Sequence, residues 1–275
     1  MTSEPTCVWD IRAKLGEGPL WARGALWFVD IKQDKLHRYD PTTGAKRSYD
    51  APAEPGFIVA QESGFIVGAR GALYRFDPQS GDFSVLCDVE MDKPGNRLND
   101  GALDPSGRLW FGTMDNAEKD PTGSLYRFDG HGLSIIDSGY VITNGPCFSP
   151  DGRTLYHTDT LPGIIYAFDV AADGSVSNKR AFVTIEPGAG HPDGPICDAQ
   201  GNLWTGLYGG WAVRKYSPQG ELLATVKFPV ANVTKMAFAG DGAAYATTAW
   251  KGLDDAARKA QPLAGGLFRF AVAGL

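Results

Sequence analysis

The chain has 275 residues, 43% of them apolar and 21% charged, with a formal net charge of −6. These are the proportions of an ordinary globular protein, and the length is within reach of one large all-β domain, so a single domain over residues 1–275 is expected. The acidic balance excludes the concentrated Lys and Arg that nucleic acid requires, and no apolar run is long enough to span a bilayer.

Met1–Asp10 carries neither a basic start nor a long apolar stretch, so it does not read as a signal peptide and a cytoplasmic setting is expected. Within it, Cys7–Ile11 has strand character but no partner nearby. The first repeat follows, with Glu17-Gly18-Pro19, then Leu26-Trp27-Phe28, then Leu36-His37-Arg38-Tyr39-Asp40. The last two phrases recur in order along the chain. They return as Phe65-Ile66-Val67 with Leu73-Tyr74-Arg75-Phe76-Asp77, and as Leu109-Trp110-Phe111 with Leu125-Tyr126-Arg127-Phe128-Asp129. A fourth copy is Leu155-Tyr156-His157 with Ile165-Tyr166-Ala167-Phe168-Asp169. Weaker copies are Leu203-Trp204-Thr205 with Val213–Ser217, and Ala244-Tyr245-Ala246 with Leu267–Ala271. Between the last two phrases, Leu253–Gln261 is the one segment that reads as a short helix.

Copies of the second phrase, beginning at positions 36, 73, 125, 165, 213 and 267, are spaced 37 to 54 residues apart. Three copies follow a turn of the Asp-Gly or Asp-x-x-Gly type, at Asp104–Gly107, Asp151-Gly152 and Asp198–Gly201. Such turns supply the positive-φ positions a tight hairpin needs. Units of this length, each with about four strands, predict an all-β, six-bladed β-propeller. Cys7–Ile11 is then expected to join the last blade and close the ring. The cysteines, Cys7, Cys87, Cys147 and Cys197, form no Cys-x-x-Cys pair and are expected to be reduced and mostly buried.

Aligning the repeats on each other exposes a polar register. Glu17 lies 10 residues before Trp27, Asn144 lies 12 before Tyr156, and Asp193 lies 11 before Trp204, each followed by Gly-Pro. Asn99-Asp100-Gly101 holds this register in the third repeat and Lys235 in the sixth. Equivalent positions on the innermost strands of a propeller converge on its axis, so Glu17, Asn144 and Asp193 are expected to meet. Two buried carboxylates repel unless a cation or protons compensate them. A divalent cation with oxygen ligands and open positions satisfies that need. Asn and Asp before Gly-Pro also form turns for purely local reasons, but the shared register and the presence of Glu favour the site. The chain has no GxSxG, HExxH, P-loop or GxGxxG motif. Its four histidines, His37, His131, His157 and His191, show no metal-ligand spacing, and only His191 is placed to border the site.

At these motifs the sequence resembles the senescence marker protein/regucalcin/gluconolactonase family of lactonases. The matching stretches are Leu15–Trp21, Asn96–Gly101, Gly112-Thr113-Met114, Thr143–Pro146, Ser149–Gly152 and Pro192-Asp193-Gly194. The resemblance implies a six-bladed propeller with one axial divalent metal held by Glu17, Asn144 and Asp193, and Arg97 and Asn99 as substrate contacts. It leaves Glu118 without a secure register as an acidic contact, and Lys235 equally open. Thr6–Asp10, Trp27–Gln33, His157–Leu161 and Ser177–Arg180 are similar to bacterial pentonolactonases, xylonolactonase in particular. The implied reaction is hydrolysis of D-xylono-1,4- or 1,5-lactone to the aldonic acid in oxidative sugar catabolism. L-arabinonolactone and gluconolactone are alternatives, and a non-catalytic metal-binding scaffold is the rival reading. A metal-dependent esterase or phosphotriesterase is a further rival, although such sites usually add His and more Asn or Asp. The metal is left open among Fe2+, Zn2+, Ca2+, Mn2+ and Mg2+. Asp193 is the general-base candidate, although binding a cation lowers its proton affinity. The expected partner is a small sugar lactone, and the expected state is a monomer. Loops near Pro55–Phe57, Asp115–Thr122 and Gly209–Trp211 are the candidates for reading the sugar.

Overall fold

The computed structural model describes residues 4–240 and 242–272. They form six four-stranded antiparallel sheets whose innermost strands pack side by side around a closed ring, the β-propeller expected from the repeat. Blade 1 runs from Gly16–Ala22 through Ala25–Asp30 and Lys35–Tyr39 to Lys46–Asp50. The innermost strands of blades 2 to 6 are Pro55–Ala60, Asn96–Leu103, Thr143–Phe148, His191–Cys197 and Asn232–Phe238.

Ring closure is as the sequence predicts. Thr6–Trp9 is the outermost strand of blade 6 and pairs with Leu267–Ala271, with Cys7 opposite Phe268. Trp9 then packs edge-on against Phe28 and His37 of blade 1, at 5.7 and 5.6 Å between ring centroids. The first strand thus stitches the last blade to the first. The expected helix forms over Asp255–Ala260, capped by Asp254, whose carboxylate accepts from the Ala257 amide at 2.8 Å. No helix among the described residues is long and apolar enough to cross a membrane.

The repeated Asp-x-x-Gly turn has a visible job. Asp104 accepts from the amides of Ser106 and Arg108 and from the indole Nε1 of Trp110 at 2.9 Å. Asp198 does the same for Gln200, Asn202 and Trp204. One carboxylate therefore sets the hairpin and satisfies the buried Trp of the next strand, which burial otherwise penalises. In blade 4, Tyr156 replaces Trp, and Asp151 instead binds Ser149 and Arg153.

All four cysteines are free, but only Cys147 is fully buried. The other three are partly exposed, Cys7 and Cys87 because they sit on the outermost strands of their blades. The expectation of mostly buried thiols is corrected to that extent.

Candidate active site on the propeller axis

Each innermost strand carries one extra residue relative to its partner. In blade 1, Glu17 pairs with Val29 but Leu20 pairs with Trp27. The same slip falls between Pro55 and Phe57, Leu98 and Gly101, Asn144 and Cys147, Pro192 and Pro195, and Val233 and Met236. A β-bulge bends the strand and re-aims its side chain, and here all six do so at one level. Gly18 and Gly145 take φ of +53° and +78° within their bulges, a conformation other residues adopt only with strain.

The pairing fixes the register residue by residue. Counting back from the positions opposite Trp27, Ile66, Trp110, Tyr156, Trp204 and Tyr245, the bulge level holds Glu17, Gly56, Asn99, Asn144, Asp193 and Thr234. Lys235, expected at this level, lies one residue further along, level with Asp100. The hairpins differ in length between blades, so distance from the second strand is not a fixed ruler. Lys235 Nζ donates to both Asp100 oxygens at 2.6 and 2.7 Å. Its stem lies over Gly194, where a Cβ would come within 2.5 Å of it. Asp100 also accepts from the Gly145 amide at 2.9 Å. This buried pair braces the two strands that present Asn144 and Asp193.

Glu17, Asn144, Asp193, Arg97, Asn99, Glu118 and His191 all line one cavity of about 260 Å³. Larger clefts of about 370 and 620 Å³ lie elsewhere, near Arg258 and near Arg180, but neither gathers buried charges. Pro55–Phe57, expected as a loop, belongs to an innermost strand, where Phe57 fills the space left by Gly68 and Gly101. Gly56 has no room for a side chain, because a Cβ there would stand 2.5 Å from Asn99 O, so blade 2 offers no donor.

Glu17 and Asp193 face each other within hydrogen-bonding reach. Burial and the charge of Asp100 push Glu17 up to about 7, against the Gly18 amide, Lys235 and a hydrogen bond with Asp193, which pull it down. Burial first, and then Glu17, push Asp193 well above the usual carboxylate range. Asp193 Oδ1 is buried with no hydrogen-bond partner. The Asn144 amide donates to Thr160 Oγ1 at 2.9 Å, and its oxygen accepts from Asn99 Nδ2 at 3.0 Å, leaving one lone pair. An orphaned oxygen, a second carboxylate and a half-used amide oxygen form a donor set that fits a divalent cation. Among the described residues no three His, Cys, Asp or Glu side chains gather into a metal cluster; here the third donor is an amide.

Arg97 is buried, and burial lowers its pKa while Glu54 and Glu118 oppose that. Its Nη1 donates to Asn99 Oδ1 at 2.6 Å and to Leu98 O, and its Nε to Asn116 Oδ1 at 3.1 Å. Asn116 in turn donates to Glu54 at 2.9 Å, and Glu54 accepts from Lys32 at 2.6 Å. Sequence reasoning missed Asn116, Thr160, Tyr208 and Lys251. A signal existed, because Tyr208 ends the second strand of its blade and the other three follow theirs by one or two residues, where the chain emerges onto the same face.

Residues 15–250 match the family model described as the SMP-30/Gluconolactonase/LRE-like region. Regucalcin of Xenopus laevis is 34% identical over 96% of this chain and 92% of its own length. A putative sugar lactone lactonase of Rhizobium meliloti (strain 1021) is 33% identical over 94% of this chain and 90% of its own. Among solved structures, a protein described as calcium-binding regucalcin from Agrobacterium tumefaciens str. C58 superposes with a TM-score of 0.93. It is 29% identical and covers 97% of this chain and 92% of its own.

Proposed function

The chain belongs to the SMP-30/gluconolactonase/LRE-like family, and on that premise we propose that it hydrolyses a sugar aldonolactone to the aldonic acid with one divalent cation. D-xylono-1,4- or 1,5-lactone is the first substrate to test, with L-arabinonolactone and gluconolactone next. The observation that carries the reading is the partnerless Asp193 Oδ1, buried against Glu17 on the cavity floor. The cavity volume of about 260 Å³ suits a small ring, lying just below the range of drug-sized ligand sites. The similarity to a sugar lactone lactonase supports the substrate class.

Glu17, Asn144 and Asp193 would hold the cation. When bound, it supplies positive charge that polarises the lactone carbonyl and offsets the charge developing on its oxygen. Arg97 orients the ring through Nη2, which has no partner among the described residues. Asn99 fixes Arg97 and Asn144 together and keeps one oxygen lone pair for a sugar hydroxyl. Asp193 takes a proton from the attacking water at the carboxylate oxygen it does not give to the cation, and returns it to the ring oxygen as the C–O bond breaks. Leu15, Met114, Ile142 and Leu161 give the cavity an apolar lining that shields these steps from bulk water.

The test is acid release from the three lactones and an aryl ester after chelation, with Fe2+, Zn2+, Ca2+, Mn2+ and Mg2+ restored singly. Loss on chelation and recovery with one ion is the expected result. Turnover untouched by chelation would remove the cation from the reading, and no lactone hydrolysis at all would leave the scaffold reading. We take the protein to be a cytoplasmic monomer whose blades form one domain over residues 1–275. A single calorimetric transition and a monomer mass in solution are the expected readouts.

A further inference from the structure

One pair of charges crosses the cavity above its floor. Lys251 Nζ donates to Glu118 Oε1, and both residues line the cavity. Glu118 belongs to the loop after the second strand of blade 3, and Lys251 to the corresponding loop of blade 6. Blades 3 and 6 stand opposite each other in the ring. The Lys251 and Glu118 side chains are 29% and 35% exposed, whereas Glu17, Asn144 and Asp193 are all buried. The pair therefore spans the mouth.

Both residues are held by their backbones. Asp115 accepts from the amides of Ala117, Lys119 and Asp120, which fixes the loop that carries Glu118. The Lys251 amide donates to Lys14 O at 2.9 Å, and its carbonyl accepts from Asn232 Nδ2 at 3.0 Å and from the Tyr208 hydroxyl. Only the side chains are left to adapt to a ligand. Apart from Arg97 and the Glu17 and Asp193 carboxylates on the floor, the surrounding charges cancel in pairs: Lys235 with Asp100 below the floor, and Lys32 with Glu54 behind Arg97. At the mouth, Lys251 cancels Glu118.

We propose that the Glu118–Lys251 pair sets the charge selectivity of the pocket, admitting uncharged polyhydroxy lactones and giving no advantage to lactones that carry a second, anionic group. This rests on the lactonase reading above. An ammonium has three N–H donors, and Glu118 engages one of them. A distal hydroxyl accepts from another and donates to the free Glu118 oxygen, so it uses both partners. An anionic substituent gains from Lys251 what it loses to Glu118.

The experiment compares kcat/KM for a neutral aldonolactone and for a lactone of the same ring size bearing a terminal carboxylate, at low and high salt. Glu118→Gln leaves Lys251 uncompensated and is expected to shift the anionic-to-neutral ratio upward by about tenfold at low salt, the worth of one charged hydrogen bond. Lys251→Met leaves Glu118 alone and is expected to shift the ratio downward by a similar factor. Both shifts shrink at high salt, because the mouth is partly exposed. Lys251→Gln repeats the second arm should the Met variant fold poorly. A purely structural pair would slow both substrates alike, so an unmoved ratio overturns the proposal, as do two shifts of the same sign. A native chain inert toward every lactone overturns the lactonase reading instead, and that measurement comes first.

Discussion

Asp193 and Asp198 lie five residues apart along the innermost strand of blade 5 and the turn after it, and both are buried. Their surroundings are opposite. Asp198 accepts from two backbone amides, the Asn202 side chain and the Trp204 indole, and its Oδ2 lies 3.1 Å from Lys215 Nζ. Burial pushes its pKa up, but those hydrogen bonds and the ion pair outweigh burial and hold it below the usual range. Asp193 Oδ1 accepts nothing, and burial and Glu17 drive its proton affinity up. One end of the strand is closed chemically and the other is left open. The difference separates what keeps the blade folded from what a ligand is left to complete.

The largest expected effect comes from Asp193→Asn, which should cut lactone turnover by about 10²- to 10⁴-fold under saturating cation, as loss of a general base does. Near-normal turnover would show that the open carboxylate has no proton-transfer role. Its melting temperature should hold or rise without cation, because the amide sits beside Glu17 without needing a proton. Lys235→Met is next in size. It leaves Asp100 buried without its cation and should cost about 3–5 kcal/mol by denaturant titration, most of it recovered in the double change with Asp100→Asn. Asp198→Asn should cost about 1–3 kcal/mol of stability while sparing turnover per folded molecule, the reverse of the Asp193 result.

The smallest effect is a pH dependence that differs in sign between the two ends. Glu17 is raised from 4.5 to about 7, so the folded chain binds more protons than the unfolded chain across that window. Stability of the chelated protein should therefore fall as pH rises from about 4.5 to 7, by roughly 5 °C in melting temperature. A divalent cation should cancel the fall and release protons as it binds. Asp198 contributes the other way: its lowered pKa adds stability above the ordinary Asp value, lost in acid as it protonates. A melting temperature flat from pH 5 to 8 in chelator would contradict the assignment of Glu17 and Asp193 as an uncompensated pair.

The propeller was legible because each blade repeats its own local chemistry. The strand phrase before Tyr/Phe-Asp and the Asp turn ahead of a buried aromatic can be counted without knowing what they touch. Glu17, Asn144 and Asp193 were legible for the same reason, since ring geometry turns equal register into proximity. Lys235 shows where counting fails. One bulge residue and unequal hairpins shift the level by a single position, and a single position separates the cavity floor from the brace beneath it. The Glu118–Lys251 pair lay beyond reach, because it joins loops of unequal length from opposite blades and no repeat fixes their register.

Ring closure by Thr6–Trp9 also has a consequence in time. The strand made first has its hydrogen-bonding partner at Leu267–Ala271, so during synthesis it waits for nearly the whole chain, roughly 10–50 s at ordinary elongation rates. Until then the Trp9 ring and a bare sheet edge are offered to whatever is near, which is the condition under which strands pair wrongly. A bulky fusion placed ahead of Thr6 should thus lower the yield of folded protein more than one placed on an outer hairpin such as Asp77–Gly81.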